Sequence, residues 1–171
     1  MNFLIRKFNL LFAIFIIFIF FTSIYWLYQK HTVGNDSTIS EWLINYQGGF
    51  TRRGIIGEIC FQLASFFNVS LRFVIFLFQS TLYLVYLILI YFFIKNTAKN
   101  TLIIIAIFSP IFLLYPVAEL EVLARKEVFL YAGFILFLNI SSFKHSNNAP
   151  LIYIFFIFPI LCLIWEPFIF F

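Results

Sequence analysis

Long apolar runs punctuated by short polar links organise this chain. Phe8 to Tyr28 is apolar apart from Asn9, Thr22 and Ser23. A bilayer core about 30 Å thick needs about 20 such residues as helix. Arg6 and Lys7 precede the run as they would in a signal peptide, but the run is too long and Ser23-Ile24-Tyr25-Trp26 offers no small-residue cleavage site. It is therefore expected to stay as a first span. Phe73 to Ile94 predicts a second, closed by Lys95, and Thr101 to Tyr115 a shorter third, interrupted by Ser109-Pro110. Pro116 suits a first helical turn and Glu119 and Glu121 favour a helix N-terminus, which predicts a fourth helix from Pro116 to Ile140. Leu151 to Phe171 is the fifth, interrupted by Pro159 and Pro167. Ile55 to Phe67 is amphipathic at helical spacing and too short and polar to cross, so it predicts a helix lying in the interface. The expected fold is all-α: a polytopic membrane helix bundle of about five spans plus one interfacial helix, with residues 1–171 as one membrane domain. No polar stop follows Phe171, so the chain is expected to be the N-terminal part of a longer protein.

Composition strengthens this reading. Hydrophobic residues make up 64% of the chain, charged residues 11%, and mean hydropathy is +1.05. A soluble domain carries about 25% charged residues, so soluble enzymes, disordered regulators and disulfide scaffolds are excluded. The net charge of +4 does not mark a nucleic-acid binder, because the basic residues sit in short loops between apolar runs. Arg6 and Lys7, Lys95 and Lys99, and Lys144 fall at alternate ends of successive spans. The positive-inside rule then puts the N-terminus in the cytoplasm. Trp26, Trp42 and Trp165 fall on the opposite, outer side. Cys60 and Cys162 read as apolar thiols, and His31 and His145 have no partners at metal-ligand spacing, so no metal or cofactor is expected.

In this topology every acidic residue faces outward: Asp36, Glu41, Glu58, Glu119, Glu121, Glu127 and Glu166. Ionisable groups at membrane depth are costly and usually line a cavity or pair with one another. Gly48-Gly49-Phe50-Thr51-Arg52-Arg53-Gly54 is a glycine-flanked arginine pair that could turn tightly and grip a phosphate through planar guanidinium forks. The plainer reading is a loop anchored to lipid head groups. The helix after Gly54 would add its dipole to anion binding. Glu119 to Glu127 holds Glu121 and Arg125 at pairing distance on a helix, and Glu127 nearest the apolar run, where desolvation would raise its pKa. Arg125 and Glu127, two apart, are expected on different faces. Glu166, between Trp165 and Pro167, needs a partner such as Arg52, Arg53 or Arg125.

Gly-Gly-Phe-Thr-Arg-Arg-Gly, Ala-Arg-Lys-Glu and Trp-Glu-Pro together resemble a pattern in uncharacterised multi-pass bacterial proteins that accompany surface-polysaccharide genes. The architecture is similar to that of polyprenyl-phosphate-sugar glycosyltransferases and O-antigen polymerases. That resemblance implies glycosyl transfer from a polyprenyl-phosphate-linked sugar at the outer face. Arg52, Arg53 and Arg125 would then hold phosphate, and Glu127, Glu58 or Glu166 would act as base. The sequence departs from such enzymes in lacking an acidic pair soon after the first span; only the isolated Asp36 and Glu41 stand there. A transporter with a midplane site would use the same residues, and a third reading is a non-catalytic membrane assembly subunit.

Overall fold

The computed structural model describes residues 2–32, 37–51, 53–97, 101–109, 112–142, 148–166 and 169, and every element among them is helical. Two long helices, α1 (Asn2–Thr32) and α4 (Leu71–Asn96), form the spine. They run antiparallel. Phe12 stacks on Tyr91 at one end, and at the other Tyr28 meets Phe76 while His31 reaches Gln79. Lys7 and Lys95 therefore share one end of the bundle. At the opposite end Arg72 Nη1 donates to the His31 carbonyl at 3.1 Å, satisfying an orphan carbonyl where α1 finishes. Both helices are long and apolar enough to cross a membrane. Neither resembles the buried core helix of a soluble protein: Phe18 and Phe21 are 63% and 64% exposed on α1, and Leu77, Leu84 and Ile88 are exposed on α4. Such surfaces call for apolar surroundings.

Between them lie two short turns of helix, α2 (Ser37–Ser40) and a 3-10 turn at Glu41–Leu43, and then α3 (Gly54–Phe67). The amphipathic stretch expected at Ile55–Phe67 is thus helical, but it has two apolar faces. Ile56, Cys60 and Ala64 are buried, while Ile59, Leu63, Phe66 and Phe67 face outward.

The expected third span stops early, as α5 (Thr101–Phe108), before Ser109. The expected single helix Pro116–Ile140 is broken into α6 (Tyr115–Ala118), α7 (Leu120–Ala124) and α8 (Glu127–Ser142). The breaks fall at Glu119 and at Arg125, whose ψ of 167° is extended. Neither proline nor glycine causes the second break; tertiary partners take up the backbone groups it frees. Helix α8 packs along α4 in the same direction, with Tyr131 against Tyr86 and Asn139 Nδ2 donating to the Leu89 carbonyl at 3.0 Å.

The last expected span is a helix over Ala149–Ile164. It comprises α9 (Ala149–Ile152), a π turn at Tyr153–Ile157 and α10 (Phe158–Ile164). Pro159 has no N–H to offer the preceding turn and its ring crowds the carbonyl four residues back, so the wider π turn relieves it. This helix ends at extended Trp165, so Glu166 lies beyond it and not within an unbroken span. Among the described residues the five-span expectation is accordingly reduced to two helices of spanning length, with α8 and Ala149–Ile164 shorter apolar helices.

Candidate functional site

The link between the 3-10 turn and α3 is folded back on α3 by Glu58. Its carboxylate accepts from the Tyr46 N–H at 3.1 Å and from the side-chain amides of Gln47 and Gln62 at 2.9 and 2.7 Å. The Gln62 and Tyr46 hydrogen bonds hold the Glu58 carboxyl below its ordinary range. Gly49, at φ +115°, donates its N–H to the Tyr46 carbonyl at 3.0 Å and closes the turn. Gly57 lets the backbone cross α3 closely: a Cβ there would collide with the Ile44 carbonyl. Of the turn expected at 48–54, the described part closes at Gly49, and the preceding Tyr46 and Gln47 are held by Glu58.

This fold-back delivers Arg53, in the left-handed region at φ 65°, to the start of α3. Its guanidinium lies 4.6 Å from the centre of the Trp165 ring and bonds Glu166 Oε2 at 3.2 Å. One partner expected for Glu166 is therefore in place. Beside this pair opens a cavity of about 860 Å3. Thr51, Arg53, Cys162 and Glu166 supply its polar and thiol groups. Phe50, Phe158, Pro159, Leu163 and Ile169 form its apolar walls. Such a shape accepts an amphiphile with an anionic group at one end.

Behind Arg53 stands the break between α7 and α8. Arg125 and Lys126 lie outside both helices of spanning length. Lys126 is fully buried, and its Nζ donates to the Arg53 carbonyl at 2.7 Å. Burial pushes this ammonium down to about 8, with Glu41 and Cys60 opposing the shift and Arg53 adding to it. The Ala124 carbonyl, released where α7 ends, accepts from Trp42 Nε1 and from Gln79 Nε2, each at 2.8 Å. Because Gln79 spends its amide N–H there, its Oε1 accepts from His31 Nε2 at 2.7 Å, which fixes the donor nitrogen of the imidazole. Thus α1, the 3-10 turn, α4 and the α7–α8 break are tied at one level.

The remaining candidates are placed around this centre. Arg125 pairs with Glu121 at 3.1 Å, as their spacing suggests. It also approaches Glu127 to 4.0 Å, which corrects the expectation of separate faces: the break, not a helix, sets their angle. Burial pushes the Glu127 carboxyl above its ordinary range and Arg125 opposes this. Glu58, Arg125 and Glu127 are outside the cavity lining. Arg52, Lys99 and Lys144 lie outside the described residues. No group of three metal-ligating side chains occurs among the described residues. Sequence reading gave no role of their own to Lys126, Trp165 and Cys162. Lys126 carried no individual signal, since in Ala-Arg-Lys-Glu it looks like any charge at a helix end. Comparison with family models, with curated proteins and with solved structures gives no match.

Proposed function

We propose that this chain is a multi-pass protein of the bacterial plasma membrane, N-terminus cytoplasmic, that acts on lipid-linked sugars at the outer face. The observation that carries the reading is the Arg53–Glu166 pair at the edge of an apolar-walled cavity of about 860 Å3. The grouping of Lys7 and Lys95 at the far end of the α1–α4 pair supports the orientation. The chain beyond α4 supports five passes in alternate directions, the shorter ones completed by broken helices whose freed backbone groups are satisfied inside the protein.

In this reading the phosphate of a polyprenyl-phosphate-linked sugar takes the Arg53 guanidinium and the lipid lies along the apolar walls. Phosphate competes with Glu166 for Arg53, so binding releases the carboxylate from that guanidinium. Glu166 accepts the proton of an acceptor hydroxyl as its oxygen attacks the anomeric carbon. The bond from that carbon to the phosphate oxygen breaks, and the electron pair leaves on the lipid phosphate, where Arg53 holds the added charge.

Binding of polyprenyl phosphate to the protein in lipid nanodiscs tests the first half. Arg53→Lys keeps the charge and loses the fork, so affinity should fall about ten- to a hundredfold, as loss of a charged hydrogen bond of roughly 1.5–3 kcal/mol implies. Glu166→Gln should bind at least as well as wild type and transfer no sugar. Wild-type affinity in Arg53→Lys would overturn the phosphate reading. Binding without turnover of any polyprenyl-phosphate sugar by the wild type would favour a transporter or assembly role.

A further inference from the structure

We propose that Lys126 is a positioning residue: its buried ammonium latches the Arg53 carbonyl, holding Arg53 left-handed and its guanidinium aimed at the cavity. The inference rests on the phosphate-binding reading for its purpose, but its geometry stands independently. A non-glycine residue at φ 65° is held there only when its surroundings over-determine it. No side chain caps α3 at Arg53. What holds the residue is the 2.7 Å bond from Lys126 Nζ, together with the 3.2 Å pair to Glu166 and the stack on Trp165. The carbonyl and the guanidinium of one residue are thus gripped by different parts of the chain, the α7–α8 break and the segment after α10.

Burying an ammonium to bond one carbonyl is an expensive way to anchor a loop. Neutral donors do the same for Ala124 next door. A charge is distinguished by what it can do besides anchor: it strengthens the bond, and it can be withdrawn by losing a proton. The groups facing it are Glu41 from the 3-10 turn, Arg53 from the loop and Cys60 from α3. Burial pushes the Cys60 thiol up to about 11, so it stays neutral where Lys126 titrates. Deprotonation of Lys126 above about pH 8 therefore weakens the latch.

The test uses a native thiol. Cys162 lines the cavity and Cys60 is fully buried, so per-site mass spectrometry of maleimide labelling at pH 7 reads access to the cavity. Lys126→Met fills much the same volume without a charge. It should keep or raise the melting temperature, increase Cys162 labelling several-fold and weaken polyprenyl phosphate binding about tenfold. Unchanged labelling and unchanged binding in a folded Lys126→Met protein would overturn the latch. If that variant does not fold, the wild type answers. Hydrogen exchange of the peptide covering 45–58, corrected for the intrinsic effect of pH, should speed up between pH 7 and 9, and a flat profile would overturn the proposal equally. Should wild type bind no polyprenyl phosphate, the function reading fails, and labelling and exchange still decide the latch.

Discussion

At the scale of single residues, the site depends on two neighbours on α3 that hold the 44–54 link in place. Gly57 is one. Its α-carbon faces the carbonyls of Ile44 and Trp42, so Gly57→Ala must push the 44–54 link away from α3. Overpacking of this kind costs about 1–3 kcal/mol. A lower midpoint in thermal or denaturant unfolding should follow, with loss of phosphate binding before loss of fold. Glu58 is the other. Its carboxyl is held below the ordinary value of 4.5 by its hydrogen bonds, Gln62 first and Tyr46 next. A depressed carboxyl contributes stability above that ordinary value and loses it as pH falls through the folded one. Hydrogen exchange at Tyr46 and Gln47 should therefore rise on acidification below about pH 4.5. Glu58→Gln should remove that pH dependence, and its survival in the variant would show that another group sets it.

Legibility from sequence divides at this scale. Arg53 and Glu166 were readable because a charge among apolar residues demands a partner, and the two do meet. The turn at Gly49 was readable because glycine marks it. What composition could not convey was the left-handed Arg53, since arginine carries no turn signal, or the fact that Lys126 and not Arg125 turns inward. Those depend on which partner arrives, a property of packing.

At the scale of elements, α3 and α4 were legible to within two residues at each end because amphipathic or unbroken apolar runs define them, and α1 was legible in its apolar middle but extends beyond it at both ends. Pro116–Ile140 was not, because nothing in Ala-Arg-Lys-Glu disfavours helix strongly enough to announce a break. The break is stabilised from outside, by two donors on one carbonyl. Trp42→Phe alone or Gln79→Leu alone leaves the Ala124 carbonyl one partner; the double variant leaves none. An unsatisfied buried carbonyl costs about 1–3 kcal/mol. The double variant should thus lose more stability than the sum of the singles, read by a double-mutant cycle in denaturant. Additive losses would mean that the carbonyl finds another donor.

At the scale of the whole molecule, the carboxylate of the site is one-sided along the α1–α4 axis. Lys7 and Lys95 mark one end, while Glu166 lies with Arg53 and Lys126 towards the other. Labelling of intact cells with a membrane-impermeant thiol reagent should therefore modify Thr51→Cys and spare Lys95→Cys. The reverse pattern would turn the cavity to the cytoplasm and move the proposed lipid-linked ligand to the other leaflet, while leaving the cavity's internal geometry intact.

The tie at Ala124 also bears on how the protein is made. Its donors, Trp42 and Gln79, precede it by 82 and 45 residues. During synthesis they have been translated before the carbonyl exists, so the break emerges to find its partners already made. Had the order been reversed, an exposed carbonyl would have waited in apolar surroundings at a cost of several kcal/mol. The direction of translation and the direction of hydrogen bonding agree: the break follows, along the chain, the two segments that satisfy it.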